Sequence, residues 1–328
     1  MKKRDKSKVK NLLPLIAVTI ALISTNGELN KTKVHAFSEK EEKIKLLFVG
    51  DIHFEEPIKS NINKYHDPFK NIKDILTEKD LVIGNLETAI TKNNEKNPKK
   101  YNFKIEEKYL SYLKKGNINL LSLANNHSYD YMEKGFKDTL ESLKKYNINY
   151  VGGGDFKKSH TPTIIEIKGR KLCFLSYAHV NGGRVSIVTK EKIGINDGYD
   201  IKQVNSDIRD LESYGCFKKI ILEHWGVENE IKPRDREVKR AKEYLSLGID
   251  IVVGTHPHVV QKITEQDNKI IAYSLGNFLF YSSKEINRKN LGLSIEIDPL
   301  TGEMKIEKLE FEIDLKTKFP KFNKILTN

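Results

Sequence analysis

Five of the nine histidines (53, 127, 224, 256 and 258) fall just after apolar runs, in company with carboxylates and amides. The stretches are "LLFVGDIH", "LVIGNLE", "LLSLANNHSYD", "IILEHWGVE" and "IVVGTHPH". Imidazole, carboxylate and amide donors without thiolates suit Mn, Fe, Zn and similar divalent ions. Asp51, His53, Glu87, Asn126, His224, His256 and His258 are too many for one four-coordinate zinc. Two divalent ions that share a bridging carboxylate accommodate them. Such a pair, about 3.5–4 Å apart, can hold a phosphoryl group and lower the pKa of a bridging water. His127, next to the proposed ligand Asn126, would then protonate a leaving group, and Asp130 would orient one of the two.

Each motif alone has a plainer explanation. Asp-x-His after a strand is usually a turn or a helix cap, Asn125-Asn126 suits a left-handed turn, and Pro257 could simply stiffen a loop. Five such coincidences at five strand ends are harder to accept than one metal site.

The elements that must position these residues alternate along the chain. Strand candidates are "IKLLFVG", "DLVIGNLE", "INLLSLA", "INYVGG", "KLCFLSYA", "KKIILEHW", "DIVVGTH" and "KIIAYSLGNFLF". Several are unbroken Val/Ile/Leu runs, as expected of strands buried on both faces. Helical spacing appears over 132–146, with Phe136, Leu140 and Leu143, and over 233–247, with Val238, Ala241 and Leu245. Hairpins turn at Lys168-Gly169 and around Pro299 to Gly302. This mixture predicts a layered α/β domain with two packed sheets, whose sites gather at the carboxyl ends of strands. Residues 92–100 read as a solvated loop and the Lys-rich tail after Asp314 as peripheral.

Composition narrows the context. The 328 residues carry a formal charge of +12. Residues 1–36 account for +6 of it, which leaves a mildly basic body without a nucleic-acid stripe. "MKKRDKSKVK" followed by "LLPLIAVTIALIS" reads as an export signal or an N-terminal membrane anchor over residues 1–36. Residues 37–328 would then form one domain outside the cell, secreted or held at the surface. Cys173 and Cys216 sit among strand-like apolar residues, so two buried free thiols are expected in preference to a disulfide.

The ordered blocks "GDIH", "GNLET", "ANNHSYD", "EHWGVE", "GTHPHVVQ" and "SLGNFLF" resemble the bacterial poly-γ-glutamate capsule synthesis proteins of the CapA/PgsA type. These are relatives of the calcineurin-like metallophosphoesterases. The resemblance spans about residues 45 to 282. It implies a four-layer α/β/β/α sandwich and a role in making or exporting an anionic γ-linked glutamate polymer with membrane-bound synthase components. By the family's motifs, Asp51, His53 and His258 would hold one ion, and Asn126, His224 and His256 the other, with Glu87 between them. Asn277 would support the site. Two departures stand out. Asn85 replaces the usual Asp, which passes the bridging duty to Glu87, and the acid normally following the histidine of the third block is displaced to Asp130. A metal-dependent hydrolase is therefore possible chemistry, with a secreted phosphoesterase or nucleotidase and a non-catalytic polyanion binder as rival readings.

Overall fold

The computed structural model describes residues 42–326. The expected export segment, 1–36, lies outside the described residues. Among those described, no helix is long and apolar enough to cross a membrane.

The first sheet runs in the order 320–326, 304–313, 289–297, 44–52, 81–86, 118–122 and 149–151, with Asn277–Leu279 also pairing to the 44–52 strand. Its strands from 44–52 across to 149–151 are parallel. The second sheet runs 263–266, 269–272, 251–255, 218–224, 170–178 and 163–167, with a parallel centre. Alternation along each strand divides the apolar residues between two faces. Leu46 and Phe48 meet Phe174, Ile220 and Val253 in a core between the sheets. Leu47 and Val49 face the other way, into a cluster with Phe136 and Leu143 of helix Met132–Lys145. On the far side, Leu175, Tyr177 and Ile221 pack against Val204 and Ile208 of helix Ile201–Asp210 and Ala241 and Tyr244 of helix Asp235–Ser246. Two sheets with helices on both outer faces make the four-layer sandwich expected from the motifs.

One expectation is corrected and two are refined. Cys173 and Cys216 form a disulfide, with Cα atoms 5.7 Å apart. Cys173 points to the helix side of its strand, where Cys216 arrives from the turn that precedes the neighbouring strand. Closing a separation of 43 residues stabilises by about 4 kcal/mol in the chain-entropy account. The Lys-rich tail is part of the sheet, because strand Pro320–Leu326 pairs with Met304–Ile313. The 92–100 loop is mostly exposed as expected, but within it Asn97 is buried and Lys99 half-buried.

Candidate metal centre

Asp51 ends the first strand, held in register with Asn85 on one side and Asn277 on the other. Gly50 makes that register possible. A Cβ there would lie 1.8 Å from the Gly276 carbonyl oxygen, so only glycine lets the 276–277 segment close on the strand. Asn85 then donates from Nδ2 to Asp51 Oδ1 at 2.9 Å and, more weakly, to Glu87 Oε2 at 3.3 Å. Its own Oδ1 accepts from Asn125 Nδ2 at 2.9 Å. Asn125 also accepts from the His127 backbone N–H at 3.0 Å, so the first of the paired amides braces the site.

The second sheet supplies the imidazoles. Thr255 Oγ1 donates to the Glu223 carbonyl and stands 3.0 Å from His224 Nδ1, which therefore carries the proton. His224 Nε2 is left as an acceptor, 2.8 Å from Asn126 Oδ1. In this arrangement both atoms can serve as ligands to one cation beside them. His258 Nδ1 lies 2.8 Å from Asn277 Oδ1 and 3.2 Å from Asp51 Oδ2, which turns Nε2 toward Glu87 Oε1 at 3.7 Å. His256 and His258 both adopt positive φ, 93° and 57°. Non-glycine residues tolerate that region only where their surroundings impose it.

Buried ligand atoms without hydrogen-bond partners collect here. They include His53 Nε2, Glu87 Oε1, His256 Nδ1 and Asp51 Oδ2, the last 3.2 Å from His258 Nδ1. Burial is the first cause of the electrostatic strain. Burial and the adjacent Asp51 push the Glu87 carboxyl well above the usual carboxylate range. Burial, followed by the His256 imidazole, holds His224 well below the ordinary histidine value, and burial with His258 holds His256 at about 3. His53 is lowered by burial and then by His127. His258 moves up, because Asp51 and Asn277 outweigh its burial. Neutral imidazoles and two crowded carboxylates are what a divalent cation requires and relieves. Ligand atoms of Asp51, Glu87 and His258 lie within 4.8 Å of one another, and so do those of Glu87, His224 and His256. Glu87 belongs to both groups. The residues fit divalent metal.

His127 stands beside this centre, its Nε2 4.0 Å from Glu87 Oε1. The displaced acid reaches it after all: Asp130 Oδ2 is 2.8 Å from His127 Nδ1. Asp130 is fully buried and also receives the Phe103 N–H and the Lys99 ammonium. Lys99 donates as well to the Asn126 carbonyl. Phe103 stacks on His127 with ring centres 4.1 Å apart and lies equally close to His53. Sequence reasoning missed Lys99 and Phe103. Their only signal was the run "NPKKYNF", where two aromatic residues interrupt an otherwise polar loop.

A four-layer sandwich with this ligand set at its strand ends defines a protein with a candidate site for divalent metal. Residues 45–282 match the family described as bacterial capsule synthesis protein PGA_cap, and the chain belongs to that family. It is 33% identical over 291 residues to the capsule biosynthesis protein CapA of Bacillus anthracis, a match that covers 85% of this chain and 70% of that one. Against the PGA biosynthesis protein CapA of Bacillus subtilis strain 168 the identity is 30% over 287 residues, covering 85% and 74%. Among solved structures, a hypothetical protein from Thermus thermophilus superposes with a TM-score of 0.51 at 16% identity, covering 82% of this chain and 99% of that one. That likeness supports the fold alone.

Proposed function

We propose that the chain works in the synthesis or export of a poly-γ-glutamate capsule, on the outer side of the cell, through a centre of two divalent ions. Asp51, His53 and His258 would hold one ion and Asn126, His224 and His256 the other, with Glu87 shared. The ions would supply Lewis acidity and a water of lowered pKa. His127 is not a ligand but the proton-transfer group, which gives a proton to a leaving group only after Nε2 has taken one up. Asp130 fixes its Nδ1–H, which leaves Nε2 toward the site.

The observation that carries this reading is that Asp51, Glu87 and His256, each with a buried atom lacking a hydrogen bond, fall in two ligand groups that have Glu87 in common. Leaving such groups uncompensated would cost each of them about 1–3 kcal/mol. The relatives named for capsule and PGA biosynthesis supply the biological setting. The disulfide supports a place outside the reducing cytosol.

The test pairs elemental analysis of the purified protein with capsule polymer yield in cells carrying His256→Ala at matched protein level. The reading requires bound Mn, Fe or Zn in the parent, less in the variant, and loss of polymer. Metal-free parent protein that takes up no added ion would end it.

A further inference from the structure

Strands Arg170–Ala178 and Lys218–His224 of the second sheet are followed at once by His179 and Trp225. With Tyr199 and with Arg236, Glu237 and Arg240 of helix Asp235–Ser246, these two line a pocket of about 120 Å³. None of the six belongs to the candidate metal centre. The walls are fixed. A Cβ on Gly198 would lie 2.5 Å from the His179 ring, so only glycine lets the chain before Tyr199 pass that close. Trp225 is buried and donates from Nε1 to the Tyr273 carbonyl at 2.8 Å. Tyr199 is 56% exposed and forms the rim. Arg236 and Arg240 stand one helical turn apart on the same helix face. Arg240 lies over the Tyr244 ring, 5.7 Å from its centre, and gives Nη1 to Glu243 at 2.9 Å. Arg236 gives Nε to Glu237 at 2.6 Å. A guanidinium carries five N–H donors, so both arginines keep unspent donors beside the cavity.

We propose that this pocket binds a singly charged carboxylate on a short, flat apolar stem. Charge selects the class. Glu237 is buried, with its oxygens taken by Arg236 Nε and by the Arg234 backbone N–H at 2.8 Å, so it offsets one arginine and leaves the other. Glu243 is 42% exposed and outside the lining, where an ion pair counts for little. His179 is matched by Glu223, 2.9 Å from its Nδ1, and contributes wall without adding charge. One unmatched cation suits one negative charge, whereas a doubly charged phosphate would also confront Glu237. Geometry selects the group, because a planar guanidinium fork meets both oxygens of a carboxylate at once. Volume selects the stem. A cavity of about 150 Å³ holds a benzene ring, and the rings of Trp225 and Tyr199 offer apolar surface to a stem of that size or smaller.

Trp225 is the only tryptophan of the chain, so its emission reports on the pocket. Titration of the full chain with benzoate should change that emission saturably. Benzamide, of the same shape without the charge, should bind about tenfold more weakly or worse, and inorganic phosphate should also bind more weakly than benzoate. Arg240→Met should weaken benzoate about 10–100-fold, the worth of a hydrogen bond to a charged group. Arg240→Lys should restore only part of it, because an ammonium lacks the fork. Tyr199→Ala, at the exposed rim, should weaken benzoate about 3–10-fold with the thermal midpoint unchanged, and it decides the matter if Arg240→Met fails to fold. Calorimetry under the same conditions covers binding that leaves the emission unaltered. Benzamide binding as tightly as benzoate, phosphate binding more tightly, unaltered affinity in Tyr199→Ala, or benzoate producing neither heat nor emission change would overturn the proposal.

Discussion

Two of the imidazole–carboxylate pairs inside the protein are built on the same plan. At the metal centre, His127 Nδ1 meets Asp130, whose other oxygen takes Lys99. Behind the second sheet, His179 Nδ1 lies 2.9 Å from Glu223 Oε2, whose other oxygen accepts the Tyr244 hydroxyl at 2.6 Å. Burial opposes protonation in both. It prevails at His127, whose pKa is lowered even though Asp130 raises it, with Lys99 and His258 adding to the fall. It is outweighed at His179, where Glu223 and Asp197 act together against Arg240 and the pKa goes up. The pairing itself is thus ordinary buried-polar structure. What sets His127 apart is the position of its second nitrogen, toward Glu87 and the ligand cluster, whereas the His179 ring sits edge-on to Tyr199 with centres 5.1 Å apart.

The largest expected effect separates the two regions outright. Asp51→Ala should remove bound metal and reduce capsule polymer to background, while His179→Gln should keep both at matched protein level. Elemental analysis with polymer assay checks it, and metal loss from His179→Gln would erase the distinction.

Next comes His127→Ala. Losing a general acid lowers turnover by about 10²–10⁴-fold, so polymer should fall steeply while metal content holds. Normal polymer from this variant would leave the centre a structural one.

A smaller loss is expected from Lys99→Met. Groups that orient ligands and proton donors are worth about 10–100-fold, and Lys99→Arg should recover part of it by restoring a charged donor to Asp130. Equal yields from Lys99→Met and the parent would show that Asp130 needs no cation to hold His127.

The mildest prediction concerns pH. Because the folded-state pKa of His179 is raised, its protonated form stabilises the fold fully below about pH 6.5, the unfolded value. That contribution fades as pH climbs through the folded value. The guanidinium midpoint of His179→Gln should therefore fall further below the parent at about pH 6 than at about pH 9. A gap that widens with pH would reverse the assignment.

Local pattern determined much of this protein. Continuous apolar runs specify strands buried on both faces, and helical spacing placed helices over 132–146 and 233–247, observed as Met132–Lys145 and Asp235–Ser246. Both predicted hairpins pair as read. The ligand types were legible for the same reason, since polar residues closing apolar strands need no distant partner to be noticed. Tertiary structure alone decided two other matters. Cys173 and Cys216 could bond only once a strand and a distant turn had met on the helix side of the second sheet. Lys99 and Phe103 lie in a stretch whose polar composition signals solvent, and they turn inward to Asp130, whose buried carboxylate takes the Lys99 ammonium and the Phe103 N–H. Hydrophobic period is written residue by residue along the chain, whereas the partner of a buried charge is chosen by whichever segment the fold delivers to it.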